Sequence, residues 1–266
     1  MNASPMESWH LQLFHKSVLK QEKLHALLDG IGGSTDGLSC LDVGGDNGVV
    51  SLLLRQSGGD WVSGDLDEGA VAAIRELVGD EVVCLDGPKT PFEDDHFDLV
   101  VIIDYFEHIH EDAAFAAELH RILRPGGRLV VNTPHAKTSL LRRLRLMLGQ
   151  SDEKHGHVRH GYTAPSMQAL LEPWFVVDST RTYSRFFSEL IDTAMQAAVE
   201  STKGDSQSQK GMLVTKGDMA KHQKALKLYS LVYPVLKAVS LLNTLVPFSG
   251  YKLLATATTR KRAHAA

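Results

Sequence analysis

Leu41-Asp-Val-Gly-Gly-Asp-Asn-Gly48 is the stretch from which the rest of the chain can be ordered. The apolar-leaning run Leu38 to Val43 reads as a short buried strand and Val49 to Leu54 as a helical run, so the glycines occupy a tight strand-to-helix turn. Glycine suits such a turn because the backbone must adopt conformations a side chain forbids and must approach whatever lies above it. Free N–H groups at the helix start favour polar or anionic ligand groups. A glycine-rich turn alone is weak evidence for nucleotide binding, and its neighbours supply the rest.

Composition narrows the classes. A chain of 266 residues, 43% hydrophobic, suffices for one large α/β domain or two small ones. A net charge of −4 and a pI near 6.3 argue against a general nucleic-acid binder, which needs a basic face. The stretch MNASPMESWH has no basic segment followed by an apolar core, so the expected location is cytoplasmic. Cys40 and Cys84 fall in different strands without a CxxC pair and read as reduced core residues.

Ahead of the turn, Trp9 to Leu28 carries Leu11, Phe14, Val18, Leu24 and Leu27 at helical spacing, which predicts one helix ending at Gly30. It covers one face of the sheet, with Lys16, Ser17 or Lys20 placed to close over a ligand. After the turn, Asp60 to Asp65 reads as a strand ending in an acid, and Asp67 as the cap of a helix from Glu68 to Leu77. In a parallel α/β sheet an acid there, about twenty residues on, can accept both hydroxyls of a ribose. Glu81 to Leu85 is a third strand ending in Asp86-Gly87, where an acid can reach an adenine amino group. Phe97 to Asp104 is the apolar run of a central strand buried on both faces. A helix from Glu111 to Leu123, a stop at Pro125-Gly126-Gly127 and a fifth strand from Arg128 to Asn132 complete a doubly wound parallel pattern.

LDVGGDNG, the acid of SGDLD, Leu85-Asp86 followed by PF and HFDLVV, DYFEHI and ELHRILRPGGRLVV together resemble the class I S-adenosylmethionine-dependent methyltransferases, and among them the subgroup that modifies small molecules, quinones and lipids. The resemblance covers roughly Leu38 to Pro134. It implies a seven-stranded Rossmann-like sheet whose last strand is antiparallel, with S-adenosylmethionine as cofactor. It further implies that Asp42, Gly44, Gly45, Asp46 and Gly48 shape the methionine end of the cofactor pocket, that Asp65 with Leu66 holds the ribose, that Asp86 and Gly87 meet the adenine, and that Asp104 lies beside the methionine moiety. Asp46 departs from the family's D-x-G-x-G-x-G, which has glycine there; aspartate tolerates left-handed backbone, so the turn is expected to survive.

Methyl transfer from a sulfonium is an in-line displacement with a good leaving group, so positioning supplies much of the rate. A base is needed only for an acceptor that must lose a proton. Two histidine groups follow strand ends: Glu107-His108 with His110, and His155, His157 and His160 with Tyr162. His108, His157 and His160 are the candidates for contacting the acceptor. HGHVRH fits no familiar ligand spacing, so no metal is expected. The fourth strand is followed by no NPPY-like tetrapeptide and neither cysteine stands in a Pro-Cys context, which disfavours methylation of nucleic-acid bases. A cofactor-binding protein without catalysis and a dinucleotide oxidoreductase are the rival readings.

The expected layout is one domain: residues 1–36 as a helical cover, 37–135 as the cofactor core, 136–181 with 250–260 as the acceptor-side half and last strands, and 182–249 as a helical insertion. LLRRLRLML, within Thr138 to Leu148, is a short basic and apolar helix with Arg142, Arg143 and Arg145. A helix opened by Thr163 and Pro165 and a strand from Trp174 to Thr180 follow, with the last strand at Gly250 to Thr258. The insertion holds a helix from Phe186 to Val199, a polar stretch from Ser201 to Gly217 and an apolar helix from Lys224 to Leu245. That helix, with Lys227, Pro234 and Lys237 along a polar stripe, suits a lid over a small-molecule or lipid-like acceptor, a homodimer contact or peripheral attachment to an anionic membrane.

Overall fold

The computed structural model describes residues 5–79, 81–147, 156–202 and 219–261, with backbone alone for 5–9, 196–202 and 219–229. His155, Leu148 and residues 203–217 of the polar stretch lie outside these, as do the side chains of Lys224 and Lys227.

Seven strands form one sheet in the order β3-β2-β1-β4-β5-β7-β6. They are β1 (Ser39–Val43), β2 (Asp60–Asp65), β3 (Val82–Cys84), β4 (Phe97–Ile103), β5 (Leu123–Pro134), β6 (Phe175–Tyr183) and β7 (Lys252–Thr259). The first five pair in parallel, and β7 runs antiparallel to both β5 and β6. This is the doubly wound, seven-stranded sheet expected from the strand pattern.

The apolar run of β4 explains why that strand is central. Val100 and Ile102 point into a core layer with Phe106, Phe115 and Leu119, while Leu99, Val101 and Ile103 point into a second layer with Phe14, Leu27 and Leu54. Residues of either parity are buried, so only a strand covered by helices on both faces satisfies them. Each such side chain contributes about 1.5–3 kcal/mol on burial. The helices supplying the cover include α2 (Val18–Ile31), α3 (Val49–Arg55), α4 (Glu68–Val78) and α5 (Asp112–Ile122).

Four expectations need correction. The single N-terminal helix is two, α1 (Pro5–Lys16) and α2, because Ser17 takes an extended conformation and its hydroxyl caps α2 by accepting from the Lys20 N–H. Arg124 to Gly127 does not separate α5 from the fifth strand but bulges within β5: Phe97 pairs with Leu123, and Leu99 with Arg128. Cys84 is exposed rather than a core residue, since β3 is the sheet's edge strand. The long apolar helix is α9 (Met219–Leu241), which tightens into a 3-10 turn at Leu242–Leu245. With α6 (Leu140–Met147), α7 (Ala164–Leu171) and α8 (Phe186–Thr202) it completes the α-helices among the described residues, and a 3-10 turn at Phe106–His108 follows β4. Among the described residues no helix is long and apolar enough to cross a membrane.

Candidate functional site

β1 delivers Gly44 to the carboxyl end of the sheet with a φ of 89°. A Cβ at Gly44 would stand 2.1 Å from the Ile103 carbonyl oxygen of the neighbouring strand, so only glycine lets the turn lie against β4. Gly48 opens α3 with a φ of 79°, and a Cβ there would come within 2.8 Å of the Ile74 Cα. Gly45 lies between them, against the Ser51 hydroxyl. Asp46 is exposed and left-handed at φ 54°, so the turn keeps its glycine-like path with an aspartate in the middle.

Asp42 faces the interior behind this turn. Its buried carboxylate accepts from the hydroxyls of Ser51 (2.5 Å) and Ser63 (2.7 Å), with Arg55 at 3.3 Å. Burial raises its pKa while these partners oppose the rise. The side chain ties β1, β2 and α3 together and thereby fixes the turn.

Asp65 ends β2 beside the turn. Its carboxylate accepts the Asp67 N–H at 3.2 Å and interacts with the N–H groups of Leu66 and Asp46, linking the end of β2 to the glycine turn. Burial pushes its pKa up to about 6 against these donors. Asp86 is exposed, forms an isolated antiparallel backbone β-bridge with Lys89 and is followed by Gly87 at φ 71°. Tyr105, which sequence reasoning passed over, is 2% exposed with a buried hydroxyl that finds no hydrogen-bond partner. Burial and then the charges of Asp65 and Cys84 raise its pKa.

A cavity of about 340 Å³ opens beyond the ends of β4 and β5. Lys20 and Lys23 of α2, Asp104, Glu107 and His108 after β4, Arg142 and Arg145 of α6, Glu189 and Asp192 of α8, and Lys252 of β7 border it, together with His135, Lys137, His157, Tyr183 and Tyr251. Asp104 takes a left-handed φ of 47° and receives Lys23 Nζ at 2.5 Å, Lys252 Nζ at 2.7 Å and Asn132 Nδ2 at 3.0 Å. Burial would raise its pKa, but the two ammonium groups hold it well below the usual carboxylate range. Lys137 pairs with Glu189 at 3.0 Å and Arg145 with Asp192 at 2.9 Å, the guanidinium also lying over the Tyr251 ring. Arg145 is therefore turned inward, against α8 and the Tyr251 ring.

Glu107 is fully buried, and burial followed by the charge of Asp104 pushes its pKa up to about 7. The His108 and His157 rings stand edge to face, 4.8 Å between centroids. The structure thus brings His108 and His157 together at the cavity, while His160 is exposed and outside its lining. Of the N-terminal candidates, Ser17 and Lys20 border the cavity, whereas Lys16 lies over the Tyr233 ring. Lys23 and Lys252 went unrecognised: Lys23 follows Lys20 at i+3 spacing on one face of α2, and nothing local marks Lys252.

Residues 41–131 match the family model described as a methyltransferase domain. A demethylmenaquinone methyltransferase of Clavibacter sepedonicus is 38% identical over 95 residues, covering 34% of this chain and 39% of that protein. A ubiquinone/menaquinone biosynthesis C-methyltransferase of Pseudomonas putida is 29% identical over 143 residues, covering 45% of this chain and 56% of that protein. Among solved structures, geranyl diphosphate C-methyltransferase from Streptomyces coelicolor, in complex with Mg2+, geranyl diphosphate and S-adenosylhomocysteine, has a TM-score of 0.56 at 13% identity, covering 90% of this chain and 77% of that one. The [4+2]-cyclase SpnF has a TM-score of 0.58 at 16% identity, covering 92% and 83%. Residues 41–131 thus match a methyltransferase domain, on a sheet order and a glycine turn that agree with that match.

Proposed function

We propose that this protein transfers a methyl group from S-adenosylmethionine to a polar, oxygen-bearing small molecule held in the cavity. The observation that carries the reading is the adjacency of turn and cavity: Gly44 abuts the Ile103 carbonyl, and the next residue, Asp104, lines the cavity. A cofactor lying across the turn, with its ribose at Asp65 and its adenine near Asp86, Gly87 and Tyr105, would direct its sulfonium methyl toward that space. The acceptor atom forms its bond to the methyl carbon as the carbon–sulfur bond breaks, and S-adenosylhomocysteine leaves as a neutral thioether. The protein's contribution is alignment and exclusion of water.

Two quinone-modifying relatives support a small acceptor, and the cavity lining refines this. Six cationic side chains and four carboxylates border it, which favours a head carrying hydroxyl, carbonyl or acid groups over an aliphatic chain. A lipid-like tail has a second place: Leu140, Leu144, Leu146 and Met147 of α6 are exposed, as are Leu231, Val235 and Leu241 of α9. These apolar surfaces also support peripheral membrane contact. Incubation with methyl-labelled S-adenosylmethionine and fractionated metabolite and lipid extracts tests the reading. Label in a polar or quinone fraction supports it, and cofactor binding without transfer to any fraction favours a protein that binds without catalysis.

A further inference from the structure

We propose that Glu107, His108 and His157 form a binding site for a divalent transition metal on the cavity wall. Their ligand atoms, one from each side chain, lie within 4.8 Å of one another. Two ligands of one tetrahedral ion at bonds of about 2.0–2.2 Å stand about 3.3–3.6 Å apart, so the three side chains must draw together by about 1 Å to close the set.

The carboxylate supplies the independent sign of a ligand. Glu107 is 0% exposed; its Oε2 accepts from the Thr133 hydroxyl at 3.2 Å, and its Oε1 is buried with no hydrogen-bond partner. A buried carboxylate oxygen left so is costly unless a cation or donor meets it. His108 is prepared for the same ion. Its Nδ1 lies 3.0 Å from the Gly156 carbonyl oxygen, which can only accept, so Nδ1 carries the proton and Nε2 keeps the lone pair a metal requires. The segment carrying His157 is fastened to the same place, since the Val158 N–H donates to the Glu107 carbonyl at 2.8 Å.

Two imidazoles and one carboxylate suit Zn(II), Mn(II) or Fe(II) rather than Ca(II) or Mg(II), which prefer oxygen-only shells. Three protein ligands leave positions open toward the cavity. The site stands on these side chains alone; the further role, holding two oxygens of the acceptor beside the sulfonium methyl, rests on the methyltransferase reading above. HGHVRH on its own gives no such set, because the ligands come from two segments that only the fold joins.

The test is calorimetric titration of the chelator-treated full chain with Zn(II) and Mn(II), and the visible spectrum of the Co(II) form. We expect one ion per chain with a Kd at or below about 10 µM. Glu107→Gln and His157→Asn should each weaken it at least about tenfold, while His160→Ala leaves it unchanged. S-adenosylmethionine affinity, measured on the same samples, reports folding and keeps a failure of the metal site distinct from a failure of the methyltransferase reading. Absence of stoichiometric binding by the wild-type chain, or equal binding by folded Glu107→Gln and His157→Asn variants, overturns the proposal.

Discussion

Lys252 Nζ, at the start of the last strand, lies 2.7 Å from Asp104 Oδ1, at the end of the central one. With Lys23 Nζ on the other oxygen, one carboxylate joins α2, β4 and β7 at the edge of the cavity. Asp104→Asn would leave two half-buried ammonium groups facing each other. The variant should lose at least about 1 kcal/mol in urea unfolding, the order of a charge-assisted hydrogen bond. Because the folded pKa is depressed, the contribution is present above about pH 4, the unfolded value, and is lost as pH falls through the lower folded value. The difference between wild type and Asp104→Asn should therefore hold from pH 7 down to about 4 and narrow only in stronger acid. A difference that vanishes by pH 6 would contradict this.

The glycine turn gives a graded prediction. A Cβ at Gly44 meets the Ile103 backbone, whereas one at Gly87 meets nothing within 4 Å. Gly44→Ala should cost more than about 2 kcal/mol and abolish cofactor binding. Gly87→Ala should cost about 1 kcal/mol, the strain of its positive φ alone. Equal midpoints for the two variants in thermal unfolding would remove the close-approach argument.

Asp65 predicts a pH effect of opposite sign to that of Asp104. Its folded pKa of about 6 lies above that of an unfolded aspartate, so its stabilisation of the ligand-free protein is fully present below about pH 4 and lost as pH rises through about 6. Asp65→Asn should then be more stable than wild type at pH 7, with the gap closing toward pH 4. A gap that does not change over this range would contradict the burial of an ionised Asp65.

The cysteines should remain unlinked and react at different rates. Cys40 in β1 and Cys84 in β3 are separated by β2, which puts their strands about 9–10 Å apart, beyond disulfide reach. Burial also pushes the Cys40 thiol up to about 12. One thiol per folded chain should react promptly with a maleimide and two after denaturation. Two prompt thiols, or a mass lower by two hydrogens, would contradict this.

What the sequence disclosed follows from what is local. LDVGGDNG, the acid Asp65 and the two-sided apolar run of β4 announce turn, strand end and centre through neighbouring residues, and the sheet order follows from their alternation with helices. Ser17 broke the N-terminal helix because a single cap residue leaves the apolar spacing intact on either side. Asp104 with Lys23 and Lys252, and Glu107 with His157, are joined across 81, 148 and 50 positions. No periodicity reports such pairs; the crossing of α2, β4 and β7 at one sheet end creates them. The inward turn of Arg145 was equally hidden, since its partner Asp192 belongs to α8.

Calorimetric titration with S-adenosylmethionine, wild type beside Asp65→Ala, decides whether the glycine turn and the end of β2 hold that cofactor. One cofactor should bind per chain, with an affinity at least about tenfold weaker in a folded Asp65→Ala variant, since two hydrogen bonds to a charged acceptor are lost. No binding of S-adenosylmethionine by the wild-type chain, with binding of NAD in its place, would contradict it.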